Sequence, residues 1–137
     1  MGKKIEIYVD GGSRGNPGPS GIGVVILDAG GKKLKELSKY IVEATNNIAE
    51  YNALLYGLEE ALILRADDII INTDSELVAK QLTGDYRVKD PNLRPLFDRA
   101  INMLKSFNNF EVRHIKREMN KEADKLVNKA INLASLL

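Results

Sequence analysis

Apolar and polar residues alternate strictly over residues 5–10, which is the period of a β-strand with one buried face. Two further strands are predicted over residues 23–27 and 34–42, and the turn-forming residues 28–31 between them indicate a hairpin. Residues 11–23 are rich in glycine and proline, so we expect a turn-rich excursion between the first two strands. The pattern as a whole predicts an antiparallel meander of three strands.

The hydrophobic period then changes to that of an amphipathic helix. Over residues 48–64 apolar side chains recur every three or four positions, which predicts a long helix, and Thr45, Asn46 and Asn47 are each plausible N-caps for it. The rest of the chain predicts a short strand, two helices, a fifth strand and a terminal helix, at residues 69–71, 75–82, 92–106, 110–115 and 120–136. The order βββαβααβα favours an α/β fold in which helices pack on a five-stranded mixed sheet.

The composition is that of an ordinary globular protein, with 44% hydrophobic and 28% charged residues in a chain of 137. This length favours a single domain over residues 1–137. The net charge of +1 excludes a strongly basic or strongly acidic surface, and the lack of cysteine excludes disulfides and thiolate metal sites. No apolar run approaches the roughly 20 residues of a membrane span, and the first residues do not resemble a signal peptide. We therefore expect a cytoplasmic protein that makes no use of a membrane.

Four acidic residues occupy positions that suggest a shared site. Asp10 and Asp74 each follow an apolar strand, and they lie side by side if the two strands are parallel neighbours. Glu50 falls in the first turn of the long helix, and Asp124 falls one turn into the last helix. Clustered carboxylates favour hard divalent cations such as Mg²⁺, and two such ions can promote phosphodiester hydrolysis. Taken singly, each acid is more typical of a helix N-terminus or a solvent-facing strand end.

Four motifs stand out along the chain: VDGGSRGNPGP at residues 9–19, TNNIAE at 45–50, TDS at 73–75 and HIKREMNKEAD at 114–124. In their residues and in their order they resemble the motifs of the type 1 ribonuclease H family. The resemblance covers essentially the whole chain, and the family's strand order agrees with the predicted one. It implies a ribonuclease H-like fold.

The resemblance implies an endoribonuclease that hydrolyses the RNA strand of RNA–DNA hybrids and leaves 3′-hydroxyl and 5′-phosphate ends. It also implies that Asp10, Glu50, Asp74 and Asp124 are catalytic and hold two divalent ions, Mg²⁺ or Mn²⁺, with Asp10 bridging both. We accordingly expect an RNA–DNA hybrid as the partner and a protein that acts as a monomer.

Substrate-binding residues are implied around the first two motifs. The backbone of the Gly12, Ser13 and Arg14 stretch would approach the minor groove, where ribose 2′-hydroxyls distinguish RNA from DNA. Asn16 and Thr45 match positions that hold a phosphate of the DNA strand. Turn and cap chemistry explains these polar residues equally well when the resemblance is set aside.

Three asparagines complete the implied substrate-binding set. Asn46 and Asn47 match groups that contact bases or sugars near the cleavage point. Asn120 lies four residues before Asp124, on the same face of the last helix, and is assigned to the same set.

The chain departs from the family pattern at several points. Well-studied bacterial members place a histidine on a loop before the last aspartate, whereas here His114 ends a strand and the loop offers Arg117. We therefore expect Arg117 to take the auxiliary catalytic role, as in a shorter form of the family. Glu76 stands where many members carry glutamine, and residues 83–92 are too short for the basic helix and loop of larger members. No N-terminal hybrid-binding module is expected.

Two alternatives stay open at the level of sequence. The chain could be a non-catalytic nucleic-acid binding domain of the same fold, although all four acids are present. It could also be a nuclease with another substrate, such as double-stranded RNA or a chimeric RNA–DNA junction, since minor-groove recognition depends partly on shape. Basic residues are concentrated between residues 113 and 129, six against three acids, so the small net charge predicts weak, salt-sensitive binding.

Overall fold

The computed structural model describes residues 2–137, in which five strands form one mixed sheet that is accompanied by four α-helices. The strands are β1 (Lys4–Ser13), β2 (Gly18–Asp28), β3 (Lys33–Ala44), β4 (Asp68–Thr73) and β5 (Asn109–His114). The helices are α1 (Asn46–Ile63), α2 (Glu76–Leu82), α3 (Arg94–Leu104) and α4 (Lys121–Ala134). None of the helices within residues 2–137 is both long and apolar enough to cross a membrane.

The sheet joins an antiparallel half to a parallel half, with the strands in the spatial order β3-β2-β1-β4-β5. β2 pairs antiparallel with both β1 and β3, which confirms the predicted meander. β4 pairs parallel with both β1 and β5, and helices make the connections that parallel strands require. The last residue pair between β1 and β4 is Val9 and Thr73. The next residues along the two strands are Asp10 and Asp74, which therefore lie next to each other at the end of the β1–β4 ladder.

The glycine-rich segment differs most from the sequence prediction. The expected excursion over residues 11–23 is wrong for most of its length, because β1 and β2 extend into it and leave only residues 14–17 as a bend. The reason is close helix packing. A Cβ atom on Gly23 would lie 2.1 Å from the backbone oxygen of Ala123 in α4, so only glycine lets this helix approach the strand.

Helices α1 and α4 cover opposite faces of the sheet. In β2 the side chain of Val24 faces α1 and the neighbouring Gly23 faces α4, as the alternation of a strand requires. The larger core lies on the α1 side and consists of fully buried aliphatic residues, among them Ile5, Ile7, Ile22, Ile26, Leu54, Leu58, Ile69, Ile71 and Leu104. Because each such side chain stabilises the fold by about 1.5–3 kcal/mol on burial, this layer holds β1 and β4 firmly in place.

Helix starts differ from the predicted ones by a few residues. Thr45 is the N-cap of α1, and its Oγ1 accepts a 3.2 Å hydrogen bond from the Ile48 N–H. The hydrophobic period predicts the last helix from residue 120, but α4 begins one residue later, after a single 3₁₀ turn at Arg117–Met119. All three residues of that turn are exposed, so it carries no periodic apolar signal.

Candidate active site

Asp10 and Asp74 lie next to each other because their strands are parallel neighbours. The β1–β4 ladder ends at Val9 and Thr73, and the two acids follow directly. Past that point β1 continues for three residues, paired with β2. The expectation that β1 ends at Asp10 is therefore wrong, although the side-by-side placement of the two acids agrees with the sequence argument. Asp10 is largely buried, and both acids line one cleft.

Glu50 reaches the two strand-end acids from α1. Its Oε1 accepts a 2.6 Å hydrogen bond from the backbone N–H of Gly11, the residue after Asp10. A Cβ atom on Gly11 would lie 2.3 Å from the backbone carbonyl carbon of Ala49, so the helix rests directly on the strand at this point. This contact requires glycine, and it fixes the Glu50 carboxylate beside Asp10.

Asp10, Glu50 and Asp74 form a tight acidic cluster in which one oxygen of each lies within 4.8 Å of the others. Burial, followed by repulsion from Asp74 and Asp124, raises the pKa of Asp10 to about 7, although a hydrogen bond with Glu50 acts in the opposite direction. Burial and the neighbouring Asp10 charge raise the pKa of Glu50 well above its ordinary value. The cluster therefore resists full ionisation in the absence of a cation.

This donor set fits a divalent metal ion. Carboxylate oxygens are the hard ligands that Mg²⁺ and similar ions prefer, and the three groups are close enough to share an ion. Within residues 2–137, the ion pairs of the protein involve none of Asp10, Glu50 and Asp74. A bound cation would thus supply the positive charge that offsets their mutual repulsion.

Asp124 and Arg117 line the same cleft as the acidic cluster. Asp124 lies in the first turn of α4, and its side chain is 37% exposed. The Arg117 Nη2 atom lies 4.0 Å from Asp124 Oδ1, and 81% of the Arg117 side chain is exposed. A pair this exposed stabilises the fold little, so the Arg117 guanidinium can turn toward an anionic group in the cleft.

The cleft has a volume of about 530 Å³, and five of the predicted substrate-binding residues line it. These are Gly12, Ser13, Arg14, Asn46 and Asn47. The Ser13 N–H donates a 2.8 Å hydrogen bond to Asn46 Oδ1, which ties the end of β1 to the start of α1. The bend after β1 and the first turn of α1 therefore form one continuous wall.

Asn16 and Thr45 lie beside this wall and make hydrogen bonds that hold the first turn of α1 in place. Asn16 Oδ1 accepts a 3.0 Å hydrogen bond from the backbone N–H of Asn46, and Thr45 caps α1. Both residues are therefore next to a cleft-lining asparagine without lining the cleft themselves. Their contact with a DNA-strand phosphate stays a prediction.

Asn120 is not placed to contact a substrate. Only 1% of the residue is exposed, and it does not line the cleft. Its Nδ2 donates hydrogen bonds to the Val9 carbonyl oxygen at 2.9 Å and to Asp74 Oδ1 at 3.4 Å. The predicted substrate-binding role of Asn120 is therefore wrong, because burial leaves no surface for a ligand and the amide is engaged with the strands.

Sequence reasoning assigns no site role to five residues that line the cleft: Gly11, Ser75, Val127, Asn128 and Ile131. Asn128 Oδ1 accepts a 3.3 Å hydrogen bond from Arg14 Nη2 and so orients that basic side chain. Asn128 follows Asp124 by four residues on α4, so helical spacing from Asp124 is the signal that could identify it.

Glu76 and His114 lie outside the cleft lining. The exposed Glu76 carboxylate pairs with Lys80 Nζ at 3.2 Å and accepts a 3.1 Å hydrogen bond from the Tyr86 hydroxyl. The Lys80 bond is the main reason why the pKa of Glu76 is lowered. His114 is exposed at the end of β5, and the choice of Arg117 over His114 as the auxiliary group stays a prediction.

The fold and the cluster define an α/β protein with a carboxylate site at the ends of parallel strands. The chain matches the family described as Reverse transcriptase-like over residues 8–130. Ribonuclease HI of Halobacterium salinarum is 43% identical over 96% of this chain and 66% of its own length. Ribonuclease H of Pseudomonas entomophila is 31% identical over 96% of both chains. The chain therefore belongs to the ribonuclease H family.

Solved structures agree with this membership. RNase H1 of Halobacterium salinarum has a TM-score of 0.92 and 43% identity over 94% of this chain and 98% of its own. LC11-RNase H1, solved in complex with an RNA/DNA hybrid, has a TM-score of 0.90 and 46% identity over 95% of this chain and 98% of its own. Both confirm the predicted five-stranded mixed sheet. The chain spans only 66% of the first curated relative and 36% of a related bifunctional protein of Mycobacterium tuberculosis.

Proposed function

We propose that this protein is a metal-dependent endoribonuclease that hydrolyses the RNA strand of RNA–DNA hybrids and leaves 3′-hydroxyl and 5′-phosphate ends. The observation that carries the proposal is the cluster of Asp10, Glu50 and Asp74, whose oxygens lie within 4.8 Å of one another in a cleft shared with Asp124. Membership of the ribonuclease H family supports it. LC11-RNase H1, which was solved with an RNA/DNA hybrid, supports the choice of substrate.

In this proposal the four acids hold two divalent ions, Mg²⁺ or Mn²⁺. Such ions, when bound, activate a water molecule and stabilise the leaving oxygen of a phosphodiester. The protein's own contribution is to keep the carboxylates fixed: the Gly11 N–H holds Glu50, and the parallel strands hold Asp10 and Asp74. Rigid placement matters because a shift of about 1 Å can lower a rate roughly a hundredfold.

The cleft walls provide polar groups for phosphate and ribose. Asn46 and Asn47 are exposed in the first turn of α1, where the helix amides also favour an anion. Gly12 and Ser13 bring backbone to the cleft surface, and Arg14 adds a positive charge. We assign these five residues to the hybrid.

The remaining assignments rest on position in the cleft, for Arg117, or beside it, for Asn16 and Thr45. Asn16 and Thr45, next to the Asn46 backbone, are proposed to hold a DNA-strand phosphate. Arg117, which is exposed and 4.0 Å from Asp124, is the proposed auxiliary catalytic group that contacts the reacting phosphate or assists product release. All of these groups come from one chain, so we propose that the enzyme acts as a monomer. The cytoplasmic location stays a prediction.

A cleavage assay on four labelled substrates tests the function. An RNA–DNA hybrid, an RNA duplex, a DNA duplex and single strands are each incubated with Mg²⁺ and with Mn²⁺. The proposal expects internal, metal-dependent cuts in the RNA strand of the hybrid, with 5′-phosphate ends. Preferential cleavage of the RNA duplex would contradict the proposed substrate. Binding of the hybrid without any product would identify a non-catalytic binding domain instead.

A further inference from the structure

Asn120 occupies the N-cap position of α4 but does not cap the helix. Asparagine at this position ordinarily accepts a hydrogen bond from a first-turn amide through its side chain. Here no such bond forms. The residue contributes to the helix through its backbone alone, since its carbonyl oxygen accepts a 3.1 Å bond from the N–H of Asp124.

The Asn120 side chain points into the sheet at the place where β1 and β4 part. Its Nδ2 donates to the carbonyl oxygen of Val9, the last β1 residue in the β1–β4 ladder, at 2.9 Å. The same nitrogen lies 3.4 Å from Asp74 Oδ1, at the outer limit of a hydrogen bond. One amide group thus contacts the residue before Asp10 and the carboxylate of Asp74.

The other end of the same side chain has no partner. Asn120 Oδ1 is buried and accepts no hydrogen bond within residues 2–137. An unpartnered buried acceptor costs about 1–3 kcal/mol, a penalty that an aliphatic side chain of similar shape would avoid. The unpartnered Oδ1 does not account for an asparagine at this position, whereas the Nδ2 group, which donates to Val9 and Asp74, does.

We propose that Asn120 is a positioning residue for the acidic cluster. Its backbone sets the start of the helix that carries Asp124, and its amide sets the distance between β1 and the Asp74 carboxylate. Asn120 thereby fixes the positions of Asp10, Asp74 and Asp124 relative to one another. This inference deepens the proposed function and rests on it in one respect, namely that the cluster binds divalent metal ions.

The test compares Asn120→Leu and Asn120→Ala with the wild type in the full chain. Leucine keeps the branched shape, with somewhat bulkier terminal groups, and removes both polar groups, whereas alanine leaves room for water. Asn132→Ala is the matched control, because Asn132 is an exposed residue of the same helix with no part in the site. Melting in EDTA establishes that each variant is folded, and calorimetric titration with Mg²⁺ or Mn²⁺, without nucleic acid, gives the metal affinity.

We expect the two Asn120 variants to bind metal roughly 10-fold to 100-fold more weakly than the wild type, as is typical when the partner of a ligating carboxylate is lost. With a labelled hybrid, kcat should fall at limiting Mg²⁺ and recover in part at high Mg²⁺, while KM for the hybrid stays within about twofold. The Asn132→Ala variant should match the wild type in every measurement.

The inference is overturned if either folded Asn120 variant binds metal within about twofold of the wild type. It is also overturned if neither variant melts cooperatively in EDTA, because Asn120 would then be required by the fold itself. Failure of the proposed function is a separate result. A wild type that binds metal but cuts no hybrid would refute the ribonuclease and leave the role of Asn120 to be decided by the affinities.

Discussion

The backbone N–H of Gly11 donates a 2.6 Å hydrogen bond to the carboxylate of Glu50, and this bond joins the first helix to the strand that carries Asp10. The contact exists because Gly11 has no side chain, since a Cβ atom there would lie 2.3 Å from the backbone of Ala49. The same close contact between α1 and β1 therefore also places Glu50 in the acidic cluster.

Replacing Gly11 with alanine should damage stability and activity together. The added methyl group meets backbone that cannot rotate away, so the free energy of unfolding should fall by about 1–3 kcal/mol or more. Displacement of Glu50 should lower hybrid cleavage roughly a hundredfold. Denaturant unfolding and initial cleavage rates measure the two effects.

Gly12→Ala is the matched control for the stability effect. A Cβ atom on Gly12 would meet only the Val127 Cγ1 atom, at 3.4 Å, which is an ordinary contact. Equal destabilisation by the two substitutions would contradict the claim that the packing at Gly11 is what holds α1 on the strand.

The acidic cluster should make the metal-free protein less stable as the pH rises. The folded-state pKa of Asp10, about 7, is above its ordinary value of 3.8, so the folded protein binds this proton more tightly than the unfolded chain does. The resulting stabilisation is complete below about pH 4 and is lost as the pH rises through about 7. Glu50, whose pKa is also raised, acts in the same direction.

Asp10→Asn removes the titrating carboxyl group, and with it the repulsion that arises when Asp10 is deprotonated. In EDTA at pH 8 the variant should melt about 3–6 °C above the wild type, on the assumption that about 1 kcal/mol is recovered. At pH 4 the difference should shrink, because Asp10 is then neutral in the folded wild type. A melting difference that is the same at both pH values would show that the carboxylates are not electrostatically strained.

Arg117→Ala should slow hybrid cleavage more than His114→Ala does. Arg117 lines the cleft 4.0 Å from Asp124, whereas His114 is exposed at the end of β5 and outside the lining. We expect about a tenfold loss of kcat for Arg117→Ala, below the loss of roughly a hundredfold or more that follows removal of a buried charge-stabilising donor. Turnover of both variants at saturating Mg²⁺ measures this, and a larger loss for His114→Ala would reverse the assignment.

Hybrid affinity should depend on salt, and Arg14 should account for part of that dependence. Arg14 lines the cleft and is oriented by Asn128, so we assign it to a phosphate. Arg14→Ala should reduce the slope of log affinity against log salt by about one. Lys32→Ala, at the exposed β2–β3 turn, is the charge-matched control and should leave the slope unchanged. Equal slopes for all three proteins would remove Arg14 from the interface.

The sequence pattern predicts the parts of the fold that obey a local period. Alternation over residues 5–9 predicts β1, and the placement of Asp10 and Asp74 after neighbouring strands predicts that they meet. The glycine-rich segment is misread because glycine in a turn and glycine beneath a packed helix leave the same signature in a sequence. Only the path of α4 over Gly23 distinguishes the two uses.

The site can be predicted from sequence where the motif residues themselves line the cleft. It cannot be predicted where the position of a side chain depends on contacts between distant parts of the chain. Asn120 is misassigned because its residue type and helical spacing are equally consistent with facing the cleft or the sheet. Its burial depends on where β1 and β4 part, which no local pattern contains. The hydrogen bond from the Gly11 N–H to Glu50 is not predictable for the same reason, since the two residues are 39 positions apart in the sequence.

The most direct test of the central claim is the cleavage of an internally labelled RNA–DNA hybrid in Mg²⁺ by the wild type and by Asp10→Asn. Melting curves of both proteins confirm that they are folded. The wild type should cut the RNA strand and leave 5′-phosphate ends, and the variant should yield no product above the metal-free background. Full cleavage by the folded variant would contradict the claim that the carboxylate cluster of Asp10, Glu50 and Asp74 is the catalytic site.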